Sequence, residues 1–269
     1  MKKAIILLCT LLGVVSCSDD NDENTTNNQR VITLNEVMTS DSYPVTKTER
    51  FLYDQDRLIQ HTVRQTVLES EINYEVNLAY SDNKVTVATE ITNLTYTLNT
   101  EGYASQCIYN ESDDQQREYK FSYSTDGYLT EVIENINGKL CSIITLTYTA
   151  DDLESVTSHI NDINNKILYK PSEQSSQYYI PCLSLLDTYP FTLHTEALYA
   201  GLLGKAPHHF TVRTAPEGND SEYTTYTYQV NKEGNLTQIH SQTTYPGGDS
   251  YNYYPNRRTV SISYNNQKS

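Results

Sequence analysis

The chain has 269 residues, with 19 Lys+Arg against 34 Asp+Glu and a formal net charge of −15. So acidic a surface repels phosphate backbones and anionic headgroups, which argues against nucleic acid as a partner. About 250 residues suffice to bury a substantial core, and one domain is expected.

The chain opens with Met1-Lys2-Lys3, an apolar run from Ala4 to Val15, and then Ser16-Cys17. A basic start followed by a short apolar run is a secretion signal, too short for a membrane-spanning helix of about 20 residues. Val14-Val15-Ser16-Cys17 resembles the lipobox of bacterial lipoproteins, where cleavage leaves a lipid-bearing cysteine as the new N-terminus. Residues 1–16 are therefore expected to be removed, and Cys17 to carry the lipid. Ser18 to Gln29 reads SDDNDENTTNNQ, acidic and amide-rich with nothing to bury, so residues 17–30 are expected to form a flexible tether. An acidic patch behind the lipidated cysteine is similar to the signal that sends Bacteroides-type lipoproteins to the outer face of the outer membrane. That resemblance implies a lipid-anchored, cell-surface location.

From Val31 onward, residues 31–269 read as one antiparallel β domain. In Tyr119 to Val132, YKFSYSTDGYLTEV, apolar rings alternate with polar residues up to a Thr-Asp-Gly turn, and a second extended run follows. The pattern recurs, with strands closing at Tyr53, Tyr80, Leu98, Tyr123, Tyr148, Val230 and Tyr264. Asn137-Gly138 and Gly247-Gly248 mark return turns. Ile72, Tyr74, Val76, Leu78 and Tyr80 alternate strictly, as do Val260, Ile262 and Tyr264, so one face is apolar. Leu129 and Val132, Leu153 and Val156, and Leu236 and Ile239 are spaced apolar-x-x-apolar, side chains that a flat strand would send to opposite faces, so a bulge or a tight bend is expected just after each turn. Two strands for each of the seven closing positions gives about 14, too many for a flat sheet. The fold expected is all-β: a large up-and-down, strongly curved sheet or barrel. With 24 Tyr against 4 Phe and no Trp, its interior needs hydroxyl partners.

Between Tyr148 and Val230 the pattern breaks, and an insertion is expected at about residues 160–220. Thr195 is placed to cap a helix over Glu196 to Leu203, with Gly204 as its stop; a second short turn is expected over Cys182 to Leu186. Packed against the open side of the curled sheet, the insertion acts as a plug. The lipobox, the Tyr-turn-Gly-x-Leu hairpins and the segment YAGLLGKAPHH, Tyr199 to His209, together resemble a family of Bacteroides lipoproteins of unknown function with a porin-like fold. The resemblance implies a large antiparallel β fold and no assigned chemistry. A lipid-spanning barrel alternates in the same way. The anchor, the overall polarity and the C-terminal NNQKS count against it.

No motif of nucleophilic, metal or nucleotide chemistry occurs, so no enzyme activity, cofactor or metal is expected. Adjacent His208 and His209 point to opposite sides of an extended segment and do not readily share a metal. Asp113-Asp114 and Asp151-Asp152 occupy turns, where solvated aspartate is ordinary. Cys107, Cys141 and Cys182, the odd set left in the mature chain, are read as small buried hydrophobes. The leading expectation is a surface or periplasm-facing binding lipoprotein. Tyrosines suit sugar rings or peptides, and Tyr189, Phe191, Tyr199 and Leu202 are the candidate ligand contacts, against the plainer reading that they complete the core. The alternative is a structural or adhesive protein without a small ligand, followed by a lipid carrier or a hydrolase.

Overall fold

The computed structural model describes residues 29–39, 44–112, 114–175, 180–246 and 256–267. The signal, Cys17, most of the tether, Asp113 and the Gly247-Gly248 turn lie outside the described residues. Sixteen antiparallel strands follow one another. They are β1 (Gln29–Thr39), β2 (Pro44–Asp54), β3 (Arg57–Val67), β4 (Ser70–Ser81), β5 (Lys84–Ala88), β6 (Asn93–Leu98), β7 (Ala104–Ser112) and β8 (Gln115–Tyr123). Then come β9 (Leu129–Ile136), β10 (Lys139–Thr149), β11 (Asp152–Ile160), β12 (Ile163–Pro171), β13 (Thr211–Pro216), β14 (Tyr223–Val230), β15 (Leu236–Thr244) and β16 (Arg257–Gln267). Each pairs with its neighbours in sequence, and β1 pairs with β16 from Gln29↔Gln267 to Thr39↔Arg257, so the sheet closes into a barrel. Closure leaves no free edge.

The count exceeds the expected 14 by one hairpin, β12 with β13. Its closing residue is Tyr169, and in place of a turn it carries the whole insertion. The insertion is thus an enlarged hairpin connection. It spans residues 172–210, narrower at both ends than expected because strand pairing continues to Pro171 and resumes at Thr211.

The predicted bulges are present. The ladder shifts register at Leu52/Tyr53, Ser122/Tyr123, Thr147/Tyr148 and Gln229/Val230, always beside the closing residue. Leu129 with Val132, Leu153 with Val156, and Leu236 with Ile239 are consequently all buried inside the barrel. In four reopened strands a carbonyl at the start is left short of the next ladder, and a tyrosine near the end of a neighbouring closing strand supplies the donor. Tyr80 Oη donates to Leu58 O at 2.9 Å, Tyr123 to Ala104 O at 2.7 Å, Tyr228 to Thr211 O at 2.5 Å and Tyr264 to Leu236 O at 2.9 Å. Pairing with the next strand begins two residues later in each case, at Gln60, Gln106, Arg213 and Gln238. These bonds account for tyrosine rather than phenylalanine at this level of the barrel.

The inward phase of the strands is mainly apolar and the outward phase mainly polar. On β4, Val76 and Leu78 point inward and are buried, whereas Glu71, Asn73, Glu75 and Asn77 are exposed on the outer phase. No helix among the described residues is long and apolar enough to cross a membrane. One end of the barrel carries Gln29, Gln267 and the insertion; we call it the terminal end. The opposite end carries the connections β3–β4, β5–β6, β9–β10 and β11–β12; we call it the distal end.

Candidate functional site

The insertion enters the lumen from the terminal end and packs against the inward strand residues. It contains α1 (Leu183–Leu186), a 3-10 turn (Phe191–Leu193) and α2 (Thr195–Tyr199), too short to hold themselves together and therefore dependent on the barrel. Leu183, Leu185, Phe191, Leu198, Tyr199, Leu202 and Leu203 join one core with the inward strand residues. The turn expected over Cys182 to Leu186 is α1, with Cys182 at its N-cap. The helix expected over Glu196 to Leu203 is shorter. His194, not Thr195, is its N-cap, because the His194 ring is drawn into the core, where Nδ1 lies 2.7 Å from Tyr96 Oη. Its stop is Gly201 at φ +70°: Leu202 N–H donates to Ala197 O and Gly201 N–H to Leu198 O, a Schellman ending. Gly204 at φ +88° lies beyond it, where Lys205 N–H donates to Gly127 O at 2.8 Å and ties the plug to the β8–β9 turn.

Above the plug, toward the distal end, the lumen holds a polar chamber of about 560 Å³, within the usual range for ligand sites. Its walls are Glu36 of β1, Lys47 of β2, Gln65 of β3, Thr224 of β14, Thr243 of β15 and Arg258 of β16; Ser184, Asp187 and Thr188 of the plug form its floor. Arg258 Nε contacts the Glu36 carboxylate, and its Nη1 donates to both Asp187 oxygens at 2.8 and 3.1 Å, joining wall to floor. Burial raises the Glu36 pKa above the ordinary carboxylate value although Arg258 opposes it. Lys47 Nζ lies 2.8 Å from Glu49 Oε1. Behind it, buried His61 meets Glu196 of the plug through Nδ1 at 2.8 Å and Glu49 through Nε2 at 3.3 Å.

A second wall-to-plug junction stands on β8, β9 and β10. The fully buried Glu134 carboxylate accepts hydrogen bonds from Arg117 Nη1 at 2.7 Å, Tyr119 Oη at 3.1 Å, Ser142 Oγ at 2.9 Å and the Tyr189 hydroxyl. Burial would raise its pKa, but these donors hold it below the ordinary value. Tyr189, left the hydroxyl donor, has its own pKa pushed up to about 12 by burial and this neighbour.

Of the four candidate contacts, Phe191 is fully enclosed and Tyr199 is buried with its ring stacked on Phe51 at 3.9 Å. Tyr189 reaches the Glu134 junction. Leu202 is buried on one side and borders a separate cleft of about 280 Å³ at the terminal end, with Tyr80 and Arg57. They are not brought together at one cavity, and none lines the chamber. What sequence reading missed is Glu36, Glu49, Glu134 and Arg258. The signal was present, since each continues the apolar phase of its strand: Glu36 after Ile32 and Leu34, Glu49 before Phe51, Glu134 after Val132, and Arg258 before Val260.

His208 and His209 are fixed to the β10–β11 turn, His209 by its N–H and Nδ1 to the Asp152 carboxylate at 2.8 and 2.9 Å, and His208 N–H to Asp151 O. They edge an apolar pocket of about 240 Å³ lined by Ile180, Cys182, Leu185, Phe210 and Ile239. Cys107 is buried, and Cys141 and Cys182 are half-buried. Among the described residues no group of His, Cys, Asp and Glu is arranged to hold a metal ion.

Comparison with known proteins matches residues 51–238 to the sequence model of a domain of unknown function (DUF4595) with porin-like fold. The chain is similar to a crystal structure of a porin-like protein from Bacteroides uniformis, at 29% identity and a TM-score of 0.76, covering 89% of this chain and 98% of that one. No curated protein matches the chain.

Proposed function

The chain belongs to the family of domains of unknown function with porin-like fold, and from its lumen we propose a lipid-anchored lipoprotein that binds a compact polar ligand, a glycan or peptide, in the chamber above the plug. The observation that carries the reading is the chamber itself. It joins hydroxyls of Thr224, Thr243 and Ser184 to an ion-paired frame of Glu36, Arg258 and Asp187, with Tyr226 beside them. Donors and acceptors at fixed positions next to a phenol suit sugars and peptide amides. Binding rather than catalysis is favoured because the inward carboxylates Glu36, Glu49 and Glu134 are each engaged by a cation or several donors.

The outer phase of the wall supports a barrel standing in water, since side chains such as Glu71, Asn73, Glu75 and Asn77 are unfavourable when facing the middle of a bilayer. In this reading Cys17 alone meets the membrane. Gln29 lies at the terminal end, so the anchor would hold that end toward an outer membrane and turn the distal end outward. A structural or adhesive role is the second reading, favoured by the plug packed against the inward strand residues.

The test is calorimetric titration of the mature chain with neutral oligosaccharides and short peptides, repeated on T224V/T243V. These two hydroxyls face each other at 2.9 Å, and valine keeps their volume. One ligand class should bind and weaken about tenfold in the variant with melting little changed. Absence of binding by both classes would hand the assignment to the structural or adhesive reading, and affinity untouched by the variant would place the site outside the chamber.

A further inference from the structure

The exposed apolar side chains are not spread over the molecule. Ten large ones are exposed among the described residues, and seven belong to the distal end: Val37, Leu68, Ile72, Tyr74, Ile91, Leu140 and Ile163. Four of these stand at or next to the tips of distal connections. Leu68 is in β3–β4, Ile91 in β5–β6, Leu140 just after β9–β10 and Ile163 just after β11–β12. Ile91 is 91% exposed, so nothing among the described residues covers it.

Leu68 is placed against local preference. It has φ +55°, a conformation that other distal tips give to Asn137, Asn161 and Asp162, residue types that tolerate it where a bulky side chain rarely does. An exposed leucine there contributes no packing to the fold.

Charge identifies what covers these tips. The described distal connections hold Glu69, Glu90, Asp114 and Asp162 among the apolar tips, and Glu217, Asp220 and Glu222 in β13–β14; Lys139 stands beside Leu140 and Lys166 pairs with Glu217 at 2.7 Å, so carboxylates remain in clear excess. A second copy of the same end, an anionic membrane and a nucleic acid all meet like charge there. Successive hairpins stand two strand spacings apart, roughly 10 Å, so the arc from β3–β4 to β11–β12 extends over about 40 Å, around half of the closed rim. That is beyond a small molecule and suits a polypeptide that follows the curve of the rim.

We propose that the distal rim is a docking surface for a basic polypeptide partner that presents Lys or Arg and apolar side chains on one face, the apolar groups seating on Leu68, Ile91, Leu140 and Ile163 and the cations on the carboxylates between them. The site is separate from the chamber and does not require a ligand in it.

The experiment uses the mature chain and a synthetic Lys/Leu peptide of about fourteen residues repeating Leu-Leu-Lys-Lys, which in extended form carries both residue types on each face, with Lys/Ser and Glu/Leu peptides of equal length beside it. Affinity is measured by fluorescence anisotropy at low and physiological salt. The protein variant is L68N/I91N/L140N/I163N, whose tips are exposed and whose melting should match the parent. The Lys/Leu peptide should bind, weaken with salt, and lose at least about tenfold in the variant, while the Glu/Leu peptide fails. The proposal is overturned if the Lys/Leu peptide does not bind, if Lys/Ser binds as well as Lys/Leu, or if the variant binds like the parent. It is equally overturned if the parent forms a dimer in sedimentation that the variant abolishes, since the tips would then serve a second copy.

Discussion

His61 is the residue at which charge, burial and the plug meet. Its ring lies flat against Phe51 at 4.1 Å, with a plug carboxylate, Glu196, on one nitrogen and a wall carboxylate, Glu49, facing the other. Burial opposes the imidazolium, yet the two carboxylates raise the His61 pKa above 6.5. At Glu49 burial is likewise outweighed, by His61 and Lys47, and the carboxyl is held down at about 2. A raised base stabilises fully below its unfolded pKa, and that contribution is lost as pH rises through the folded value. A depressed acid stabilises fully above its unfolded pKa, and that contribution is lost as pH falls through the folded value. The cluster therefore contributes most between about pH 4.5 and 6.5, the two unfolded values. Replacing His61 with Asn leaves two carboxylates facing an uncharged side chain and should cost about 3–5 kcal/mol at pH 5.5, and less once the pH is high enough to deprotonate the parent histidine too. Urea unfolding of both proteins from pH 5.5 upward reads this; a loss that does not fall would mean that His61 keeps one protonation state throughout. Phe191→Ala, which empties a fully enclosed ring site, should cost about 3–5 kcal/mol, against roughly 1 kcal/mol for Tyr189→Phe, which removes one hydroxyl from a carboxylate that keeps three other donors.

At the scale of elements, the plug is held by backbone geometry at two glycines that sequence alone does not tell apart. Gly201 and Gly204 both have positive φ, but a Cβ on Gly201 meets open space, whereas one on Gly204 would lie 2.7 Å from Gly127 O and 3.1 Å from Leu129 N. Gly201→Ala should therefore cost only its conformational strain, about 1 kcal/mol. Gly204→Ala adds a clash with backbone that cannot rotate away and should exceed 2 kcal/mol, while also loosening the Lys205 to Gly127 hydrogen bond, visible as faster exchange of the Lys205 amide. Similar losses in the two variants would show that the plug segment can shift away from the β8–β9 turn. The hairpins themselves were legible, down to the bulge that puts Leu129 and Val132 on one face, because turn chemistry and two-residue alternation are local. The helix boundaries were not: whether His194 or Thr195 caps α2 depends on Tyr96, 98 residues away in the chain. Nor was the chamber, since Glu36 and Arg258 meet only because the first strand and the last are neighbours in the closed barrel.

Closure is the property of the whole molecule that local pattern could not decide, and its energetics can be read from the ladder. The β1–β16 seam joins the most distant parts of the described chain, yet its pairing runs unbroken over the full eleven residues of both strands. The short join is elsewhere: β13 and β14 pair only at Arg213↔Thr225 and Thr214↔Thr224, next to the strand that returns from the plug. A barrel opens where the fewest backbone bonds must break, and local openings expose amides well below the global unfolding free energy. Native-state hydrogen exchange should accordingly show β13 and β14 amides exchanging through a low-energy opening, while the amides of β1 and β16 exchange only with global unfolding. Because Thr214 and Tyr226 share a hydroxyl contact across this join at 3.3 Å and Tyr226 borders the chamber, a ligand bound there in the proposed manner should slow exchange at β13–β14 more than at the seam. Faster exchange along β1–β16 than along β13–β14 would instead mark the terminal seam as the weak point, and with it the pairing of Glu36 and Arg258 on which the chamber is built.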